Sequence, residues 1–293
     1  MKLFLSKIGA IFGIAAIISF SIYTFVLVSD SLKIDLYYEN FTEIHTGSFI
    51  AGTSRARYAI DPRYFEDSLD FKNISFTRSK SPYNFSYTEY LLDVVDQKND
   101  MISLFCVSPI SFEKRFEFNK EYFRQFNFEK KDFNPINIKY LIKERITPLK
   151  ITYHNLKILI KEMVYGENSE FDNRKIFTST SVNKMVKNYP LPTNINKEYL
   201  ENLTVLIHHF SKTSKVVLVR VPIWKELYEK ENVTSPRFND LMDSIATRNS
   251  ILYFDLNEIK FNPGLKFYDI SHVNPNERKK ITETLEHLIT EKN

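Results

Sequence analysis

Two short stretches carry residue types that could do covalent chemistry. Ser54 lies in 48-SFIAGTSRARYAIDP-62, and Asp269 and His272 lie in 264-GLKFYDISHVNPNERKKITETLEHL-288. A serine hydroxyl becomes an effective nucleophile beside a base that takes its proton. An imidazole serves as that base when a carboxylate fixes its tautomer and stabilises its charged form. Asp269 and His272 are three residues apart, close enough to pair within one loop. Arg55 and Arg57 could hold an anionic group such as a carboxylate or phosphate. Each residue also has a plainer reading. Ser54 could cap a helix starting near Arg55, Asp269 could cap the last helix or turn its loop, and His272 could be a surface histidine. The two arginines could be solvated or paired with nearby acids.

For these groups to meet, the elements carrying them must share an edge. Short apolar runs predict strands at Ser48–Ala51, Lys72–Phe76, Met101–Val107, Lys215–Val221 and Ile251–Asp255. Their Val, Ile, Leu and Phe content suits strands buried on both faces. Helical patterns lie between them at Tyr83–Gln97, Lys197–Ser211, Pro236–Arg248 and Pro275–Thr290. This alternation implies an α/β domain with a five-stranded parallel sheet and helices on both faces. Ligands of such sheets bind beyond the carboxyl ends of the strands. Ser54 follows the first strand directly, and the Asp269–His272 loop follows the last, so both project from that edge. Asn274 suits an N-cap and Pro275 a first helical position, which puts the acid and the histidine on the loop entering the last helix.

The amino terminus predicts a different environment. Lys2 and Lys7 precede an apolar run from Ile8 to Val28, long enough to cross a hydrocarbon core of about 30 Å. The run is longer than the apolar region of a secretory signal, and 25-FVLVSDS-31 makes a poor cleavage site. Residues 1–29 therefore read as an uncleaved signal anchor, 30–46 as a connector and 47–293 as the folded domain. With the lysines before the span, the amino terminus is expected in the cytoplasm and the domain outside it, at the cell membrane. A buried core helix is the alternative.

Composition narrows the class further. The chain has 293 residues, 43% of them hydrophobic, and a net charge of +4 without a basic stripe, so nucleic-acid binding is not expected. One cysteine, Cys106, excludes an internal disulfide and a cysteine-rich zinc site, and reads as an apolar filler ending a strand. His208 and His209 lie on a helical pattern without an acidic ligand at matching spacing, so neither metal nor cofactor is expected. His45 and His154 are isolated, and Trp224 could pack over the site or under the sheet. Residues 112–196, aromatic and basic, break the short-loop rhythm. They read as an insertion, helical in parts, over the carboxyl edge: a lid, a membrane-facing cap or a satellite core.

Gly52-Thr53-Ser54-Arg55 followed by Ile60-Asp61-Pro62 resembles the first block of membrane-anchored SGNH (GDSL-type) hydrolase-like proteins of bacterial envelopes. The stretch 267-FYDISHVN-274 resembles that family's final block. The stretches 216-VVLVRVPIWKELY-228 and 251-ILYFDL-256 are similar to its last two strand segments. The resemblance covers about residues 48–290, with 112–196 poorly matched. It implies a flavodoxin-like three-layer α/β/α fold, with Ser54 as nucleophile, His272 as base and Asp269 as its support. It also implies an ester of an envelope glycan or polyol as substrate, O-acetyl favoured, attacked through an acyl-enzyme. A protein like those that transfer D-alanine to envelope polymers, and an inactive scaffold in an envelope protein complex, are the alternatives. Two of the family's blocks are altered. The stretch 76-FTRSKSPYNF-85 lacks the usual oxyanion glycine, and 106-CVSPIS-111 lacks the usual asparagine. Amides near Ser79–Ser81 and the side chain of Ser108 are the replacements this implies, beside the amide of Ser54.

Overall fold

Five of the apolar runs pair in parallel in the computed structural model, which describes residues 7, 9, 11–21, 44–66, 69–75, 83–96, 99–114, 179–192, 194–258 and 264–291. The strands are β1 (Phe49–Ala51), β2 (Lys72–Asn73), β3 (Met101–Cys106), β4 (Ser214–Arg220) and β5 (Leu252–Asp255). Their order is β2-β1-β3-β4-β5 and every pairing is parallel. That is the doubly wound order, which reverses between β1 and β3 and opens a crevice at their carboxyl ends. Ile50 lies opposite Leu104, Phe105 opposite Leu218, and Val219 opposite Phe254.

Alternation along each strand sorts side chains between two faces. Ile50, Leu104, Val217, Val219 and Phe254 share a core with Ala56, Ala59, Ile281 and Leu285. These last four come from α1 (Ser54–Ala59) and α7 (Arg278–Glu291), which cover that face. On the other face, Phe49 and Phe105 pack with Phe210 at centroid separations of 5.0 and 5.9 Å. Phe210 belongs to α4 (Lys197–Phe210), which lies beside α2 (Phe85–Val94). Tyr253 on β5 donates on that same face to Asn239 Oδ1 at 2.9 Å, tying in α6 (Phe238–Arg248). The result is a three-layer α/β arrangement.

The observed elements depart from expectation in two places. β2 stops after two residues because the Asn73 side chain accepts from the Ser75 amide at 3.1 Å and bends the chain out of the ladder. One helix was not foreseen, α5 (Lys225–Thr234), whereas α3 (Ser179–Asn188) falls inside the insertion expected to be helical in parts. The sequence KELYEKENVT carries too few apolar residues for a stripe, and of its ten residues only Leu227 and Glu231 are buried. The strands and the remaining helices otherwise begin and end within about three residues of the expected bounds.

By its contacts the chain divides into two units, Met1–Thr42 with Arg124–Asn173, and Glu43–Phe123 with Arg174–Asn293. The second holds the sheet and all the elements named above. In the first, residues 11–21 are helical, with Ile11, Phe12, Ile14, Ile17, Ile18 and Phe20 exposed. Among the described residues no helix is long and apolar enough to cross a membrane. Residues 8, 10 and 22–28 of the expected span lie outside them, as do residues 30–43 of the connector and 115–178 of the insertion.

Candidate active site

β1 ends in a turn that only glycine permits. A Cβ on Gly52 would sit 2.7 Å from the Ala56 Cβ and 2.8 Å from the Cys106 Cβ. Bringing the backbone this close to the end of β3 starts α1 immediately beyond it. Thr53, not Ser54, is the N-cap, its Oγ1 accepting from the Arg55 amide at 3.3 Å. Ser54 is the first helical residue, so its hydroxyl is not spent on capping.

The second loop is organised by one carboxylate. Asp269 Oδ1 accepts from the Ser271 amide (2.7 Å), the Ser271 hydroxyl (3.0 Å) and the His272 amide (2.9 Å). Its Oδ2 faces His272 Nδ1 at 2.8 Å. The same side chain thus turns its loop and orients the imidazole. Burial alone would raise the Asp269 pKa. The bond and charge of His272, with the Ser271 bonds, outweigh it and hold the carboxyl below its ordinary value. With the proton on Nδ1 donated to Asp269, His272 Nε2 accepts from the Ser54 hydroxyl at 3.0 Å. The imidazole is steadied by the Tyr58 ring, edge-on at 5.0 Å.

This meeting needs reach, because β1 and β5 stand three strand spacings apart, about 14 Å. The chain after β5 returns across the carboxyl edge and is pinned there. Phe267 bridges Val273, and the Tyr268 amide donates to the His272 carbonyl at 2.9 Å. The Trp224 amide donates to the Ile270 carbonyl at 3.1 Å. Asn274 caps the turn Pro275–Glu277, as its sequence implies, accepting from the Asn276 amide. α7 then runs back against α1. Thr282 Oγ1 accepts from the Asp61 amide at 3.1 Å, and Arg278 donates to the Tyr58 carbonyl at 3.1 Å.

The remaining candidates fare differently. Arg55 does not face a substrate. It is 3% exposed, pairs with Glu231 at 2.7 Å and lies beside the Tyr189 hydroxyl at 3.4 Å. Arg57 donates to the Asn73 carbonyl at 2.6 Å and so ties α1 to β2. The Ser108 hydroxyl is buried against that of Ser111 at 3.0 Å. Ser79 and Ser81 lie outside the described residues, as does His154. Trp224 packs edge-to-face on Phe267, under the loop that carries His272. Cys106 is buried, which pushes its thiol pKa far up and keeps it neutral. Among the described residues no cluster of His, Cys, Asp or Glu could hold a metal ion.

Sequence reasoning missed the charges behind Ser54. Arg220, 1% exposed at the end of β4, pairs with Glu231 Oε2 at 2.9 Å and donates to Asn239 at 2.8 Å and Asn232 at 3.1 Å. It also lies 3.5 Å from Asp255 on β5. The available signal was an arginine within VVLVRV, since a charge inside a strand buried on both faces requires partners.

No family model matches the chain. No curated protein matches it either. A solved structure described as "a putative platelet activating factor from Streptococcus pneumonia" is similar over 93% of this chain and 98% of its own, with 10% identity and a TM-score of 0.39. A likeness this low carries no argument about fold or activity.

Proposed function

We propose that the protein is a serine esterase or O-acyltransferase of the SGNH hydrolase-like type, tethered to the cell membrane and acting outside the cytoplasm on glycan or polyol esters of the envelope. The observation that carries this reading is the unbroken hydrogen-bonded chain from Ser54 Oγ through His272 to Asp269. In this reading His272 Nε2 takes the Ser54 proton as Oγ attacks the ester carbonyl. Asp269 holds the imidazole and stabilises it once charged. The imidazolium then protonates the leaving alcohol, and an acyl-serine remains. Water or a sugar hydroxyl, deprotonated by the same imidazole, releases the acyl group and restores the serine. The exposed apolar side chains of residues 11–20 support the tether, because six large apolar groups facing outward on one helix suit lipid better than water.

The test is covalent. A fluorophosphonate should modify Ser54 in the full chain and leave Ser54→Ala untouched, with p-nitrophenyl acetate hydrolysis lost in parallel. Folded wild-type protein that neither labels nor hydrolyses would overturn the enzyme reading and leave a scaffold in an envelope complex.

A further inference from the structure

We propose that the buried Arg55–Glu231 ion pair positions the Ser54 hydroxyl, an inference that rests on Ser54 being the nucleophile. α1 has six residues, too few to hold its own orientation, so tertiary contacts must fix it. Its far end is held by Arg57 on Asn73 and by Arg278 on the Tyr58 carbonyl. At its near end the anchor is Arg55, the residue after Ser54. Glu231, fully buried, reaches the Arg55 guanidinium with one oxygen, a close ion pair whose angle falls short of a hydrogen bond, and Arg220 with the other. The first turn of α1 is thereby fastened to α5 and to the carboxyl end of β4.

Stability alone does not explain the pair. Desolvating two charges offsets most of their attraction, and apolar residues of similar volume are usually at least as stable. What an ion pair adds is a fixed position. Tyr189, just after α3, completes the clamp beneath the Arg55 guanidinium. Lys230, beside Glu231 on α5, donates to the carbonyls of Val186, Lys187 and Tyr189. These contacts hold the segment carrying Tyr189 in register with the helix carrying Glu231.

The experiment compares the full chain with Arg55→Met, which leaves Glu231 paired to Arg220, and with Glu231→Gln, which keeps shape and removes charge. Fluorophosphonate inactivation of Ser54 is resolved into a maximal rate and a half-saturating concentration, beside thermal unfolding. A displacement of the order of 1 Å predicts a maximal rate lower by about 10–100-fold in Arg55→Met, with half-saturation unchanged, a smaller loss in Glu231→Gln and partial recovery in Arg55→Lys. A crystal structure of Arg55→Met should show Ser54 Oγ out of hydrogen-bond reach of His272 Nε2. Wild-type labelling rates in whichever variants fold, or an unmoved Ser54, would overturn the proposal. Absent labelling of the wild type refutes the nucleophile reading instead, and the Ser54 position in the variant still decides whether the ion pair sets it.

Discussion

Asp269 illustrates how one side chain serves structure and chemistry together. It accepts four donors, two from backbone amides, one from a hydroxyl and one from an imidazole. Asp269→Asn keeps an acceptor for the loop amides but offers an amide to Nδ1 and favours the wrong tautomer. Its hydrolytic rate should fall by about 10³–10⁴-fold with folding intact, measured against thermal unfolding of the same sample. Ser271 has a subtler part. Its hydroxyl donates to Asp269 and lies 3.3 Å from His272 Nδ1. Ser271→Ala removes one bond worth about 0.5–1.5 kcal/mol, so the rate should drop by roughly two- to twelve-fold. An unchanged rate would show that the loop amides alone hold the carboxylate. Ser54, Asp269 and His272 were legible from sequence because each sits in a short local pattern. Ser271, Glu231 and Arg220 were not, because their roles depend on neighbours supplied by other elements, and acids and arginines are by default expected at the surface.

Elements were legible where their period was clean. β3 and β4 carry apolar runs interrupted only by Ser103 in the first and flanked by Lys215 and Arg220 in the second, and the last helix announces its start with Asn274 and Pro275. α5 was invisible because what it buries is mainly a charge, and β2 shrank because an asparagine turned the chain. The contact between α1 and α7, which brings the two loops together, had no local signature. Thr282, fully buried, looks like a filler in sequence but receives the Asp61 amide. Thr282→Val keeps the shape and orphans that amide, which predicts a loss of about 1–3 kcal/mol in urea unfolding. Gly52→Ala should be as damaging. Its Cβ would strike the Ala56 and Cys106 side chains, and overpacking of that kind costs about 1–3 kcal/mol while pushing Ser54 off His272. A fully active, fully stable Gly52→Ala protein would contradict the close approach of β1 and β3.

For the whole molecule, the sign of the carboxyl shifts predicts an acid limit. Burial opposes ionisation of Asp61 and Asp269, but Arg63 at the first and His272 with Ser271 at the second outweigh it, so both pKa values are lowered on folding. A depressed carboxyl contributes stability above its unfolded value of about 3.9, and that contribution is lost as pH falls through the lower folded value. The urea midpoint should therefore drop below about pH 4, and by less in Asp269→Asn. The contribution of Asp61 is small, since Arg63 is 78% exposed and screened by solvent. Fold class and sheet edge were readable from the alternation of elements, whereas the partition of the chain into two units was not, because it depends on contacts between distant segments. The sheet's outer strands, β2 and β5, have only two and four residues. Borders this short give a neighbouring chain little unpaired backbone on which to add a strand, which protects a parallel sheet against edge-to-edge aggregation at high concentration.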